Sequence, residues 1–186
     1  KALIVDRQFH GVVKKALEDF GKKILIIDIN DKQADLKDNE KIGEFEYESF
    51  LEKGDDNYVW KKPKDEWQSI SLNYTSGTTG FPKGAMHRHV DLGFCTDVYA
   101  KAVLEMGSND VVYSVAKLFF AYGLGNAGYF PAGTGAQSVL NPGRPIPEEI
   151  SAHVLLHRPT IFFGVPTSFG QLLSSDVPDD TFASVR

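Results

Sequence analysis

Thr75, Ser76, Thr78 and Thr79 supply four hydroxyls within five positions, interleaved with Gly77 and Gly80 and closed by Pro82, Lys83 and Gly84. Phosphate oxygens are bound well by a run of backbone N–H groups with hydroxyls added and one cation, and glycines let the backbone reach the anion unobstructed. The stretch "TSGTTGFPKG" carries all of these ingredients. It does not read as G-x-x-x-x-G-K-[ST], because Pro82 precedes Lys83 and Gly84 follows it. Nor does it contain the G-x-G-x-x-G dinucleotide fingerprint. The competing reading is a glycine-rich turn with no ligand. A second cluster, "KLFFAYGLGN", alternates the rings of Phe120 and Tyr122 with the small residues Ala121 and Gly123. Such a cluster after a strand can pack a core or wall a pocket. His87 and His89, two apart, would diverge on a helix, and His153 and His157 at i, i+4 have no metalloprotease-type acid between them, so surface histidines are expected and no metal ligand is assigned. Cys95, on the apolar side of its helix, reads as a small hydrophobe.

These residues need elements to hold them. Phe9, Val12, Val13, Ala16, Leu17 and Phe20 recur with the period of one helix face, between the apolar runs "ALIV" and "KILIIDI", so residues 2–29 read as strand, helix and strand, with Gly21 closing the helix. Residues 30–68 are acidic and aperiodic apart from a weak patch at "FEYESFLEKG", and are expected to be a surface excursion. "SISLNY" predicts a strand entering the glycine loop, and "DLGFCTDVYAKAVLEMG" a helix. Beyond it, "DVVYSVA", "AQSVLN" and "TIFFGV" predict strands, while "FAYGLGNAGYF", "PEEISAHVLLH" and "PTSFGQLL" predict helices, the last two opened by Pro147 and Pro166. The pattern is α/β: mostly parallel sheets with helices on their faces and no internal repeat.

Composition narrows the partners. The 186 residues are 42% hydrophobic with a formal net charge of -5, ordinary for a globular protein and without the cationic excess that nucleic acid or an anionic membrane would call for. No window is long and apolar enough to span a bilayer, no leader pattern opens the sequence, and one cysteine fits a reducing compartment, so a cytoplasmic location is expected.

"YTSGTTGFPKGAMHRH" resembles the signature loop of the adenylate-forming superfamily, which includes acyl-CoA synthetases, peptide-synthetase adenylation domains and luciferases. "DVVYSVAKLFFAYGLGNAGYFPAGTGAQSVL" and "RPTIFFGVPTSFGQLL" resemble its benzoate-CoA ligase branch. The resemblance implies a layered N-terminal domain and a two-step reaction. A carboxylic acid, here an aryl acid such as benzoate, is joined to AMP from ATP with Mg2+ bridging the phosphates, and the acyl group is then passed to coenzyme A. It implies that Thr75, Ser76, Gly77, Thr78, Thr79, Gly80 and Lys83 grip the phosphates, with Lys83 the catalytic cation, and that Phe120, Ala121, Tyr122 and Gly123 lie against the acid. "IFFGVPT" is similar to a segment flanking the same cleft. "DEWQSISLNY" has the flavour of the fatty or arylalkanoic branch, so a medium-chain or arylalkanoic acyl-CoA synthetase is the alternative within the class. A nonenzymatic phosphate-binding module is the alternative outside it.

The family's aromatic-Gly-x-Thr-Glu motif, ribose-binding Asp, hinge and C-terminal domain are not among these residues. Residues 1–186 therefore read as a partial AMP-binding domain from a longer ligase, from which little activity is expected alone.

Overall fold

Two parallel strands flank a helix near the N-terminus, as the apolar pattern requires. In the computed structural model, which describes residues 1–32, 41–75 and 80–186, β1 (Ala2–Asp6) pairs in parallel with β2 (Leu25–Ile29), and α1 (His10–Phe20) connects them. Gly21, in the left-handed region at φ 62°, ends that helix. Contacts divide the chain into two units, Lys1–Lys62 and Pro63–Arg186.

In the first unit the excursion expected over residues 30–68 is only partly an excursion. Phe45–Glu46 returns as β3, parallel to β2, and Tyr47–Leu51 forms the short helix α2. A buried carboxylate draws the chain back. Asp28, fully buried on β2, accepts hydrogen bonds from the N–H groups of Ile42 (3.2 Å) and Gly43 (2.9 Å), and its other oxygen lies 3.2 Å from Nε2 of His10. A side chain at Gly43 would stand 2.9 Å from that carboxylate, so only glycine fits. The apolar face expected of α1 is mostly open: Val12 is 73% exposed, Phe9 and Phe20 are exposed too, and only His10 is buried.

The second unit has two sheets. β4 (Ser69–Thr75) and β5 (Lys83–Arg88) form an antiparallel ribbon, a departure from the parallel pattern that the sequence predicts. α3 (His89–Cys95) follows and continues as a π-helical stretch, Thr96–Lys101. Asp91 opens α3 by accepting the Arg88 N–H (2.9 Å) and two guanidinium bonds from the same residue, which lower its pKa.

The larger sheet has the order β7-β6-β8, all parallel, from β6 (Val111–Ser114), β7 (Gln137–Val139) and β8 (Ile161–Phe163). Alternate residues of β6 serve opposite layers. Val112 packs with Ala100, Met106, Phe130, Ile161 and Phe163, while Tyr113 and Val115 pack with Ile150 and Val154. The first layer draws on the π-helical stretch and on α5 (Phe130–Thr134), reached from α4 (Ala121–Gly123) through the π-helical Leu124–Tyr129. The second is built from α6 (Pro147–His157) and α7 (Pro166–Leu173), each opened by proline. Burying β6 on both sides explains why "VVYS" lacks a polar face.

At the N-terminal end of β6, Asp110 accepts hydrogen bonds from Thr160 (2.6 Å), Gly107 N–H (2.9 Å) and the Arg186 guanidinium (3.1 and 3.2 Å). These partners, Arg186 foremost, hold its pKa at about 2.

Candidate active site

The ribbon's pairing sorts its side chains. Opposite partners in an antiparallel pair share a face, and β4 meets β5 with Ser71 opposite His87, Asn73 opposite Ala85 and Thr75 opposite Lys83. That face is polar. The other carries Leu72 and Tyr74 against Met86 and Gly84, where a side chain at Gly84 would stand 2.9 Å from Leu72. Thr75 and Lys83, eight positions apart, are thus brought side by side at the two roots of the glycine loop. Gly80 has φ 122°, which favours glycine. Ser76, Gly77, Thr78 and Thr79 lie outside the described residues. His87 belongs to β5 and His89 begins α3, so the helical spacing expected of them does not apply.

The aromatic cluster sits elsewhere, past the C-terminal end of β6. Open α/β sheets bind ligands in crevices outside the carboxyl ends of their strands. Phe120 precedes α4 in extended backbone, 58% exposed, with its ring 4.6 Å from that of Phe119. Tyr122, 46% exposed, donates its hydroxyl to the carbonyl of Gly164 just beyond β8 (3.2 Å) and meets Phe163 edge-on. Burial and Tyr99 raise the pKa of that hydroxyl, which keeps it a neutral donor. The rings are therefore not core residues. Ala121 between them is exposed. Gly123 is buried, and a side chain there would run into the carbonyls of Ala116 and Lys117, so its small size serves the fit of α4 against that turn.

Residues that the sequence reading did not single out complete this edge. Lys117 donates to the backbone carbonyls of Asn141 and Gly143 beyond β7, and the Asn141 amide donates to the Tyr113 hydroxyl (3.3 Å). A lysine and an asparagine just past the ends of neighbouring parallel strands was the available signal. Away from this edge, His153 lies 3.9 Å from Glu149 and stacks on His157, and no metal-holding group of three ligand-type residues occurs among the described residues. Cys95 is half-buried against the first core layer.

Residues 1–186 match the family described as AMP-binding enzyme. The benzoate–CoA ligase of Thauera aromatica is 46% identical over 108 residues, which is 58% of this chain and 20% of that protein. A crystal structure of a benzoate CoA ligase from Burkholderia xenovorans is similar over 100% of this chain and 34% of its own, with a TM-score of 0.80 and 31% identity. The anthranilate CoA ligase AuaEII, solved in complex with anthranoyl-AMP, gives a TM-score of 0.82 at 26% identity over 100% of this chain and 35% of its own. The chain thus spans about one fifth of the length of the curated relatives it matches and about one third of these solved ones.

Proposed function

Because the chain belongs to the AMP-binding enzyme family, we propose that it serves an AMP-forming acid–CoA ligase that activates an aryl carboxylic acid such as benzoate. The acid's carboxylate oxygen bonds to the α-phosphorus of ATP as the bond to pyrophosphate breaks. The thiolate of coenzyme A then bonds to the acyl carbon and AMP leaves. The observation that carries this reading is the cross-strand pair of Thr75 and Lys83 at the roots of the hydroxyl-rich loop. A hydroxyl and an ammonium on one face suit an ATP tail with its Mg2+, and a cation fixed there stabilises the charge that builds on departing pyrophosphate. Ser76, Gly77, Thr78, Thr79 and Gly80 supply the remaining donors of the motif. The exposed rings of Phe120 and Tyr122, with Ala121 between, support an apolar wall for an aryl acid. No helix among the described residues is long and apolar enough to cross a membrane, and a cytoplasmic setting belongs to the proposal.

Acid-dependent exchange of pyrophosphate into ATP by the complete gene product tests it. Benzoate is expected to drive exchange, with AMP release on adding coenzyme A. Exchange with octanoate but not benzoate would sink the aryl assignment alone. Nucleotide binding without exchange for any acid would mean a phosphate-binding module.

A further inference from the structure

We propose that Lys117 is a positioning residue for the acid: its side chain clasps the turn leading into Phe120, Ala121 and Tyr122 onto the loop that follows β7. This rests on the reading of those residues as the acid wall. Two carbonyls on either side of Pro142, those of Asn141 and Gly143, converge on the one ammonium. The loop that offers them is itself fixed. Asn141 is buried, its amide donates to Tyr113, and its side-chain oxygen accepts the Gly143 N–H at 2.7 Å. Tyr113 in turn belongs to the core of β6 and stacks on Phe162 at 5.6 Å.

The other end of Lys117 is equally engaged. Its carbonyl accepts the N–H of Phe120 (3.0 Å) and lies against Gly123, which admits no side chain there. One residue thereby ties the acid segment at its main chain and the β7 loop at its side chain. Among the described residues no carboxylate pairs with the ammonium, so its charge is met by neutral dipoles alone, and burial lowers its pKa. A lysine serving only solubility would be left in water. Beside the clasp, Ser114, Lys117, Phe119, Val139 and Asn141 line a cavity of about 290 Å³ between the ends of β6 and β7. Without the ammonium the turn has room to retreat into that space, carrying the ring of Phe120 with it.

The test compares Lys117→Met and Lys117→Arg in the complete gene product, by pyrophosphate exchange at varied acid and varied ATP. Lys117→Met removes both bonds and is expected to raise the KM for benzoate by about tenfold or more, tenfold being the low end for hydrogen bonds to a charged group, and to leave the KM for ATP unchanged. Lys117→Arg, which can still reach both carbonyls, is expected to restore the acid KM to within about twofold. Equal rises for acid and ATP, equal loss in both variants, or an unchanged acid KM would each overturn the inference. Should Lys117→Met fail to fold by circular dichroism, Lys117→Gln, uncharged and one bond shorter, is expected to raise the acid KM and leave that for ATP, and an unchanged acid KM overturns the inference. A parent enzyme that prefers another acid defeats the aryl reading instead, and Lys117 is then judged on the KM for that acid.

Discussion

The strands β4 and β6 are both in the second unit and have opposite surroundings. β6 is four residues long, and its Val112 and Tyr113 are 0% and 1% exposed, each facing a different packed layer. β4 is seven residues long and exposed throughout, paired on one side by β5. A strand enclosed by two layers has its geometry set by packing and can carry other groups at its end, as β6 carries Lys117 and the rings that follow. An open ribbon takes its geometry chiefly from cross-strand pairing, and its polar face is turned to solvent. The comparison separates stability from chemistry. Changes along β6 and its layers should act on folding, and changes on the ribbon should act on rate.

The largest effect expected is on the ribbon. Lys83→Ala should slow acid-dependent pyrophosphate exchange by about two to three powers of ten, the scale for removing one preorganised charge-stabilising donor, with the thermal midpoint unmoved. An unchanged rate would take Lys83 out of the phosphate site. Next comes the core: Ile150→Ala, at a 1% exposed position against Tyr113, should cost about 3 kcal/mol in urea unfolding while kcat/KM of the folded enzyme holds. A loss of rate without loss of stability there would break the division just drawn. At the β6 edge the two effects meet. Because Ala121 is exposed, Ala121→Phe should fold, yet discriminate against benzoate relative to acetate by about 1 to 3 kcal/mol in kcat/KM, the range for overfilling a shaped slot. Equal losses for the two acids would mean that the segment does not shape the acid site.

The smallest effect depends on pH. The carboxyl of Asp110 has a folded pKa of about 2 against 3.8 ordinarily, so its stabilising contribution is complete above the ordinary value and disappears as pH falls from about 4 towards 2. With the Arg186 side of the pair open to water, this is worth about 1 to 2 kcal/mol. Melting curves between pH 5 and 2 should show it, and Asp110→Asn should flatten that part of the profile.

Much of the second unit was legible because burial writes a pattern. "VVYS", "TIFFGV", "PEEISAHVLLH" and "PTSFGQLL" all fall where their apolar residues and prolines place them, since both layers need those side chains. β5 left no such trace. "KGAMHR" faces water on its polar side and becomes a strand by pairing with β4, a nonlocal event. β3 is two residues drawn in beside β2, next to the Gly43 that bonds Asp28, and no period exists over two residues. The assignment of Thr75 and Lys83 to phosphate rests on residue types, whereas their adjacency needed the ribbon's register. The position of Lys117 just past a strand end was legible, but its pairing was not, because its partners lie 24 and 26 positions away and are backbone atoms, which every residue possesses.

The register of the parallel sheet also sets an order of assembly. Val112 pairs with Ser138 and with Ile161, so the centre of the sheet waits for chain made well after it, whereas Thr75 and Lys83 meet across a short hairpin. Local hairpins close in about 1 to 10 μs, and nonlocal parallel pairing is slower because more chain entropy is lost before contacts form. During synthesis the ribbon is expected to form first and the β6 sheet only after β8 has left the ribosome. Pulsed hydrogen exchange during refolding would show this as protection of the β4 and β5 amides ahead of those of β6, and simultaneous protection would refute it. For that interval Val112 and Tyr113, both buried in the finished fold, are uncovered, so a pause in translation before residue 161 would prolong their exposure to aggregation.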